Sequence, residues 1–168
     1  RAGYLLASFR SVTKSVQCAI QLQQLLQELM EKSHVDARLK ICICSGVPVT
    51  SENEIFEKTI NITKRLAIVS KADIIVTPEV KELYTSENQN VPFQYDPVYA
   101  LSYPEESFIN GLMVFIESNY QDEAFKTRDA HRGLGISKAQ LYRKLVALTG
   151  KSPGVFLRDY RLQQAKKL

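Results

Sequence analysis

Hydrophobic positions in the first part of the chain alternate between short apolar runs and helical periodicity. Residues 4–9 form a short apolar run with aromatic side chains, which predicts a buried strand. Residues 11–32 carry apolar side chains at spacings of three and four, with Gln and Glu on the opposite face, and predict a helix capped by Ser11. Residues 38–45 are almost continuously apolar in their middle, as expected of a central strand.

The same alternation continues to about residue 84. Residues 54–69 have the helical period, residues 73–77 read D-I-I-V-T and predict a buried strand, and residues 78–84 predict a short helix. Pro78 stands in the first turn of that helix, a position that proline tolerates well. A strand followed by a helix, repeated three times, predicts an α/β layer in which helices pack on a sheet.

The pattern changes at residues 85–104, which contain three Pro and have no helical period. We interpret residues 88–104 as a linker or extended arm between two domains, residues 1–87 and residues 105–168. The Phe and Tyr side chains of the arm indicate that it packs on another part of the protein. Helical periodicity then resumes and predicts helices at about 108–119, 126–134, 137–149 and 153–168.

Charge divides the chain in a similar way. Residues 126–168 contain eleven Lys or Arg and two acidic residues, a net charge of +9, whereas the whole chain carries +4. Residues 1–125 therefore carry −5. A basic C-terminal block on an acidic remainder is typical of a DNA-binding module joined to another domain.

The basic block contains the signals of a helix-turn-helix. Gly135 stands where one helix must end and turn, since glycine adopts positive φ at little cost. Ser137 follows it and is a favourable N-cap for the next helix. The apolar side of that helix predicts a face turned to the core, formed by Ile136, Leu141, Leu145 and Leu148.

The opposite side of this helix carries the candidate DNA-contacting residues. In a major groove, Arg reads guanine through a bidentate contact, Gln reads adenine and Ala packs on a thymine methyl. Lys144 and Lys151 are better placed for phosphates, which hold register without reading sequence. A solvated basic surface helix is the alternative, but the turn and the charge favour DNA. The residues on the outward side are Lys138, Ala139, Tyr142 and Arg143, with Gln140 at its margin.

Three consecutive motifs make up the C-terminal part of the chain. They are G-I-S-K-A-Q-L-Y-R-K-L at 135–145, T-G-K-S-P at 149–153 and F-L-R-D-Y-R-L-Q-Q-A-K-K-L at 156–168. Together they resemble the first half of an AraC-type DNA-binding domain, over about residues 105–168. The resemblance implies that the helix after the glycine turn is the first recognition helix, with base-facing positions at Lys138, Ala139, Tyr142 and Arg143.

The same resemblance implies a connector helix that leads to a second helix-turn-helix. The sequence ends within this connector. We therefore expect the chain to be a piece of a longer protein, and we expect its DNA affinity to be weaker than is usual in the family.

Residues 1–87 resemble the later half of a class III nucleotide cyclase domain. The similar segments are G-Y-L-L-A-S-F at 3–9, L-K-I-C-I-C-S-G-V-P-V at 39–49 and F-E-K-T-I-N-I-T-K-R-L at 56–66. The resemblance implies a partial cyclase-like domain, a βαβαβα layer of the cyclase or ferredoxin-like kind. The predicted fold is thus this α/β layer followed by an all-α helix-turn-helix domain.

Catalysis is not expected from this cyclase-like part. Asn61 and Arg65 match the family's transition-state residues and, four apart, share one helix face. However, two-metal phosphoryl chemistry needs carboxylates to hold the ions, and Gly3 stands at the position of one of them. We predict no enzyme and no cofactor, and keep a nucleotide-binding or cyclase-related enzyme as the alternative function.

The remaining predictions concern cysteines, location and partners. Cys42 and Cys44 would share one face of a strand, and we interpret them as buried reduced thiols, with a metal site as the alternative. No apolar run approaches the ~20 residues of a membrane span, and we expect a cytoplasmic protein. The expected partners are double-stranded DNA and a second copy of the chain, bound through the N-terminal domain because its incomplete sheet leaves an open edge. A small-molecule effector is left open.

Overall fold

The computed structural model describes residues 5–46, 53–69, 71–89, 91, 93 and 98–166, with the backbone alone for residues 53–58. Helices and strands alternate up to residue 100, and only helices follow. In chain order they are α1 Val12–Ser33, β1 Ile41–Ile43, α2 Asn53–Val69, β2 Ile74–Val76, α3 Pro78–Glu87, β3 Val98–Ala100, α4 Tyr103–Asn119, a 3-10 turn Thr127–Asp129, α5 Ala130–Gly133, α6 Lys138–Thr149 and α7 Pro153–Ala165.

The three strands form one parallel sheet in the order β1-β2-β3. Ile41 of β1 lies opposite Ile74 of β2, which in turn lies opposite Val98 of β3. The central strand β2 is buried along its whole length, whereas β1 is half-buried. Helices α2 and α3 connect successive parallel strands, so the prediction of an α/β fold is confirmed.

The helices predicted before residue 88 are present. Helix α1 begins after Ser11, whose side chain accepts a hydrogen bond from the backbone N–H of Lys14, and ends at His34 with a left-handed φ of 54°. Pro78 is in the first turn of α3, as predicted. The signals for these helices lie within the helices themselves, which is why the sequence locates them well.

Two predictions about strands are wrong. Residues 5–9 are not a strand, and Leu5 is 92% exposed; residue 4 lies outside the described residues. The third strand is instead Val98–Ala100, inside the segment interpreted as a linker, where it pairs with β2. An apolar run becomes a strand only where a neighbouring strand offers hydrogen bonds, and short sequences do not reveal that neighbour. The predicted strand at 38–45 is also shorter, because only Ile41–Ile43 pairs.

One continuous cluster of buried side chains extends from the sheet to the C-terminal helices. Helix α4 lies in its middle and packs against α2. The division into domains at residues 88–104 stays a prediction, and α4 bridges that proposed boundary. The buried side chains of the cluster include Leu66, Ile75, Ile109, Leu112, Met113, Ile116, Leu141, Leu145, Phe156 and Leu157.

Polar contacts add to this core. Arg65 of α2 forms a bidentate ion pair with Glu117 of α4, with Nε 3.0 Å from Oε1. Arg161 of α7 donates hydrogen bonds to the carbonyl oxygens of Tyr120, at 2.7 Å, and Asp122, at 2.6 Å. These contacts join elements far apart in sequence. None of the helices in the described parts of the chain combines the length and apolar character needed to cross a lipid bilayer.

Candidate nucleic-acid interface

A glycine turn ends helix α5 and sets the direction of the next helix. Gly135 has a φ of +62°, and its N–H donates to the carbonyl oxygen of Arg132 at 3.2 Å. The following N–H, of Ile136, donates to the carbonyl oxygen of His131 at 3.1 Å. This pair of bonds around a left-handed glycine is a Schellman motif. The turn that the sequence predicted at Gly135 is therefore confirmed.

Helix α6 begins with a reciprocal cap. The Ser137 hydroxyl accepts a hydrogen bond from the N–H of Gln140 at 3.1 Å, and the Gln140 side-chain oxygen accepts one from the N–H of Ser137 at 2.9 Å. Such a capping box satisfies two backbone donors that the helix leaves free. The side chain of Gln140 is therefore engaged in the cap, which is not the adenine-reading role that the sequence suggested for it.

The two faces of α6 separate as the sequence predicts. The inner face is formed by Leu141, Leu145 and Leu148, which are buried, and Ile136 is partly buried beside them. The outer face presents two cations, a methyl group and a phenol to solvent. Tyr142 is 52% exposed. The residues of this outer face are Lys138, Ala139, Tyr142 and Arg143.

The two lysines predicted to contact phosphate have partners within the protein. Lys144 is half-buried, with its Nζ 5.4 Å from the centre of the Phe108 ring, a cation–π arrangement. The Nζ of Lys151 lies 2.9 Å from the carboxylate of Asp159. This hydrogen bond lowers the pKa of Asp159, and Arg158 contributes in the same direction. Phosphate at Lys151 would have to compete with a carboxylate that stays charged.

Helix α7 packs against α6. Phe156, Leu157 and Tyr160 are buried, and the Tyr160 ring meets the Tyr120 ring edge to face with centres 5.5 Å apart. The Arg161 side chain donates hydrogen bonds to carbonyl oxygens at the end of α4 and in the loop after it. From sequence, Arg161 was predicted only to contribute to the net charge of residues 126–168. Its position directly after a buried aromatic residue was the available signal that it lies at the edge of the core.

Two residues of the enzyme hypothesis, Asn61 and Arg65, lie on α2. The Arg65 side chain forms an ion pair with Glu117, whereas Asn61, one turn earlier on α2, is exposed. Gly3 lies outside the described residues. Where the structure describes side chains, no group of three or more His, Cys, Asp or Glu is arranged to hold a metal ion.

Comparisons with known proteins found no match among family models, curated proteins or solved structures. What bears on function is therefore the geometry around α6. This helix has a capped start, a buried inner face and an exposed outer face with cationic and hydrogen-bonding side chains. These are the properties that a helix needs in order to lie in a groove while the rest of the domain holds it.

Proposed function

We propose that the chain belongs to a sequence-specific transcription regulator and that α6 enters the major groove of double-stranded DNA. The observation that carries this proposal is the position of the outer face of α6. It follows directly after the Gly135 turn and the Ser137 cap, on a helix whose other face is buried. A base-reading helix must be held rigidly from behind, and the buried leucines of α6 provide this support.

Each outer residue has a role that follows from its chemistry. Arg143 would make a bidentate contact to guanine, and Ala139 would pack against a thymine methyl. Lys138 and Tyr142 add a cation and a hydroxyl to the same face. The net charge of +9 in residues 126–168 supplies the attraction to the phosphate backbone that any duplex offers.

We propose further that residues 105–168 are the first half of an AraC-type domain and that residues 1–87 are a partial, inactive cyclase-like domain, in a cytoplasmic protein. The sequence motifs support both parts. The ion pair of Arg65 with Glu117 supports the absence of catalysis, because the guanidinium is bound to a carboxylate of α4. The prediction of a cyclase or ferredoxin-like layer is part of the same proposal and is supported by the motifs at 3–9, 39–49 and 56–66.

The second proposed partner is another copy of the chain, bound through residues 1–87. Leu22, Leu25 and Leu29 of α1 are 43%, 53% and 61% exposed, and their spacing of three and four places them on one face. Sedimentation of the full chain tests this. Leu25→Glu should shift a dimer towards monomer, while Gln17→Glu, the same charge change on the polar face of α1, should not. Equal sedimentation of both variants and wild type would argue against this surface.

The decisive experiment for DNA binding uses the full chain and duplexes selected from a random pool. Arg143→Ala should weaken binding to the selected site by ~1–3 kcal/mol and relax the preference at one base pair. Arg132→Ala is the matched control, an exposed arginine of the same basic block on α5. Equal losses on selected and random duplexes would assign Arg143 to phosphate. Binding that does not weaken as salt rises would overturn the proposal.

A further inference from the structure

Two thiols lie side by side at the β1 edge of the sheet. The Sγ atoms of Cys42 and Cys44 are 3.7 Å apart. Cys42 is the middle residue of β1 and Cys44 follows the strand, so both side chains point to the same side. Both are half-buried against the core cluster and neither is in a disulfide. The third cysteine, Cys18, lies on α1 and serves as an internal comparison.

The two thiols are not equivalent. Their mutual hydrogen bond, together with burial, raises the pKa of Cys42 well above its usual range. The same contact lowers the pKa of Cys44. The thiolate is the form that binds metals, so each thiol that is still protonated must lose its proton when a metal ion binds.

The number of ligands decides which metal could bind. Thiolates select soft ions, chiefly Cu(I) and Zn²⁺. Structural zinc sites have four protein ligands, and the described residues provide no third His, Cys, Asp or Glu beside this pair. Cu(I) is satisfied by two thiolates in a nearly linear arrangement.

The distance between the sulfur atoms fits such an ion. Two metal–sulfur bonds of about 2.3 Å, the length found with zinc, span at most about 4.6 Å between the sulfur atoms. The observed 3.7 Å would have to widen by less than about 1 Å. Rotation of a cysteine side chain is enough for this adjustment, so the backbone of β1 can stay in place.

We propose that Cys42 and Cys44 form a two-coordinate binding site for a soft monovalent metal ion, Cu(I). Binding forms two Cu–S bonds and releases the proton of each thiol that is still protonated, with no change of oxidation state. The sequence left a metal site at this pair as the alternative to buried reduced thiols, and the proposal takes up that alternative. The site belongs to β1 and does not depend on α6, so its failure would leave the DNA proposal standing.

The test is a competition for Cu(I) between the reduced full chain and the chromophoric chelator bicinchoninate, under anaerobic conditions. We expect one Cu(I) per chain. Loss of a residue that only orients a metal ligand costs about 10–100-fold in metal affinity, so Cys42→Ser and Cys44→Ser, which each remove a ligand, should cost at least ~100-fold. Cys18→Ser is the matched control and should bind as the wild type does.

Three results would overturn the proposal: no Cu(I) retained by the folded wild type, an equal loss in Cys18→Ser, or full affinity in the double variant C42S/C44S. Should a Ser variant fail to fold, alkylation of the wild type decides instead. One equivalent of Cu(I) should then protect Cys42 and Cys44 from iodoacetamide while Cys18 reacts as before. Unchanged alkylation of the pair would count against the site.

Discussion

The backbone N–H of Lys71 donates a hydrogen bond to the carbonyl oxygen of Leu148, 2.9 Å away. Lys71 lies between α2 and β2, whereas Leu148 is in the last turn of α6. Carbonyls in the last turn of a helix lack partners within the helix, and here the α/β part supplies one. The Nζ of Lys40 holds the same loop by donating to the carbonyl oxygens of Lys71, at 2.8 Å, and Ala72, at 2.7 Å. The proposed DNA-reading helix is thus hydrogen-bonded to the loop that leads into β2.

This bond can be tested by removing its donor. Lys71→Pro eliminates the N–H and leaves the acceptor of the buried Leu148 unpaired, which should cost ~1–3 kcal/mol in the free energy of unfolding. Lys71→Ala keeps the N–H and should cost much less. Urea denaturation of both variants gives the comparison. Equal effects would contradict the bond, as would rapid hydrogen exchange at the Lys71 amide of the wild type.

Alanine substitutions at Gly135 and Gly154 can distinguish the cost of backbone strain from the cost of a steric clash. An added Cβ would meet no atom within 4 Å at Gly135 or at Gly154, but only Gly135 has positive φ. Gly135→Ala should therefore destabilise the protein by ~1–2 kcal/mol. Gly154→Ala, in the first turn of α7, should be neutral or stabilising by up to ~1 kcal/mol. Thermal and urea unfolding measure both, and similar values for the two variants would argue against the left-handed turn.

The ion pair of Lys151 with Asp159 should restrain DNA binding. Asp159→Asn frees the ammonium, so we expect tighter binding to every duplex and a steeper salt dependence, by up to about one unit of slope. Lys151→Ala made in the Asp159→Asn background should then reduce the slope by about one unit on all sequences. Asp129→Asn is the control, because it removes the other acidic residue of the basic block. If both Asn variants act alike, the effect is one of net charge and not of Lys151.

Asp73 should make stability depend on acid pH. Burial alone would raise its pKa, but hydrogen bonds from Lys40 and Arg38, each with its nitrogen 3.2 Å from Oδ1, hold the pKa below the ordinary value of 3.8. Because the folded protein favours the ionised form, this stabilisation is complete above pH 3.8 and is lost as the pH falls through the lowered pKa.

The corresponding variant is Asp73→Asn. Asp73 and Arg38 are exposed to solvent, which screens their charges, so the variant should be less stable than wild type by at most ~1 kcal/mol at pH 7. The difference should shrink when urea denaturation is repeated below the lowered pKa. A difference that persists unchanged in acid would assign the effect to packing.

The helices and the candidate reading face could be predicted from the sequence because their signals are local. Ser11 and Ser137 cap helices that begin one residue later, and Gly135 ends the helix before it. The apolar period of α6 alone separates its buried leucines from its outer residues. Each of these features depends on neighbours within a few positions of the chain, so no knowledge of the fold was required.

The place of the third strand, the extent of the first and the partners of the charged side chains were decided by the tertiary structure alone. Residues 98–100 form a strand because β2 offers an edge to pair with, whereas residues 5–9 pair with none of the strands that the structure describes. The partners of Lys144 and Lys151 are side chains on other helices, which bring Phe108 and Asp159 within reach. A strand needs a neighbouring strand for its backbone hydrogen bonds, and the interactions of a charged side chain depend on the groups around it. Both therefore depend on contacts between residues distant in sequence, which only folding brings together.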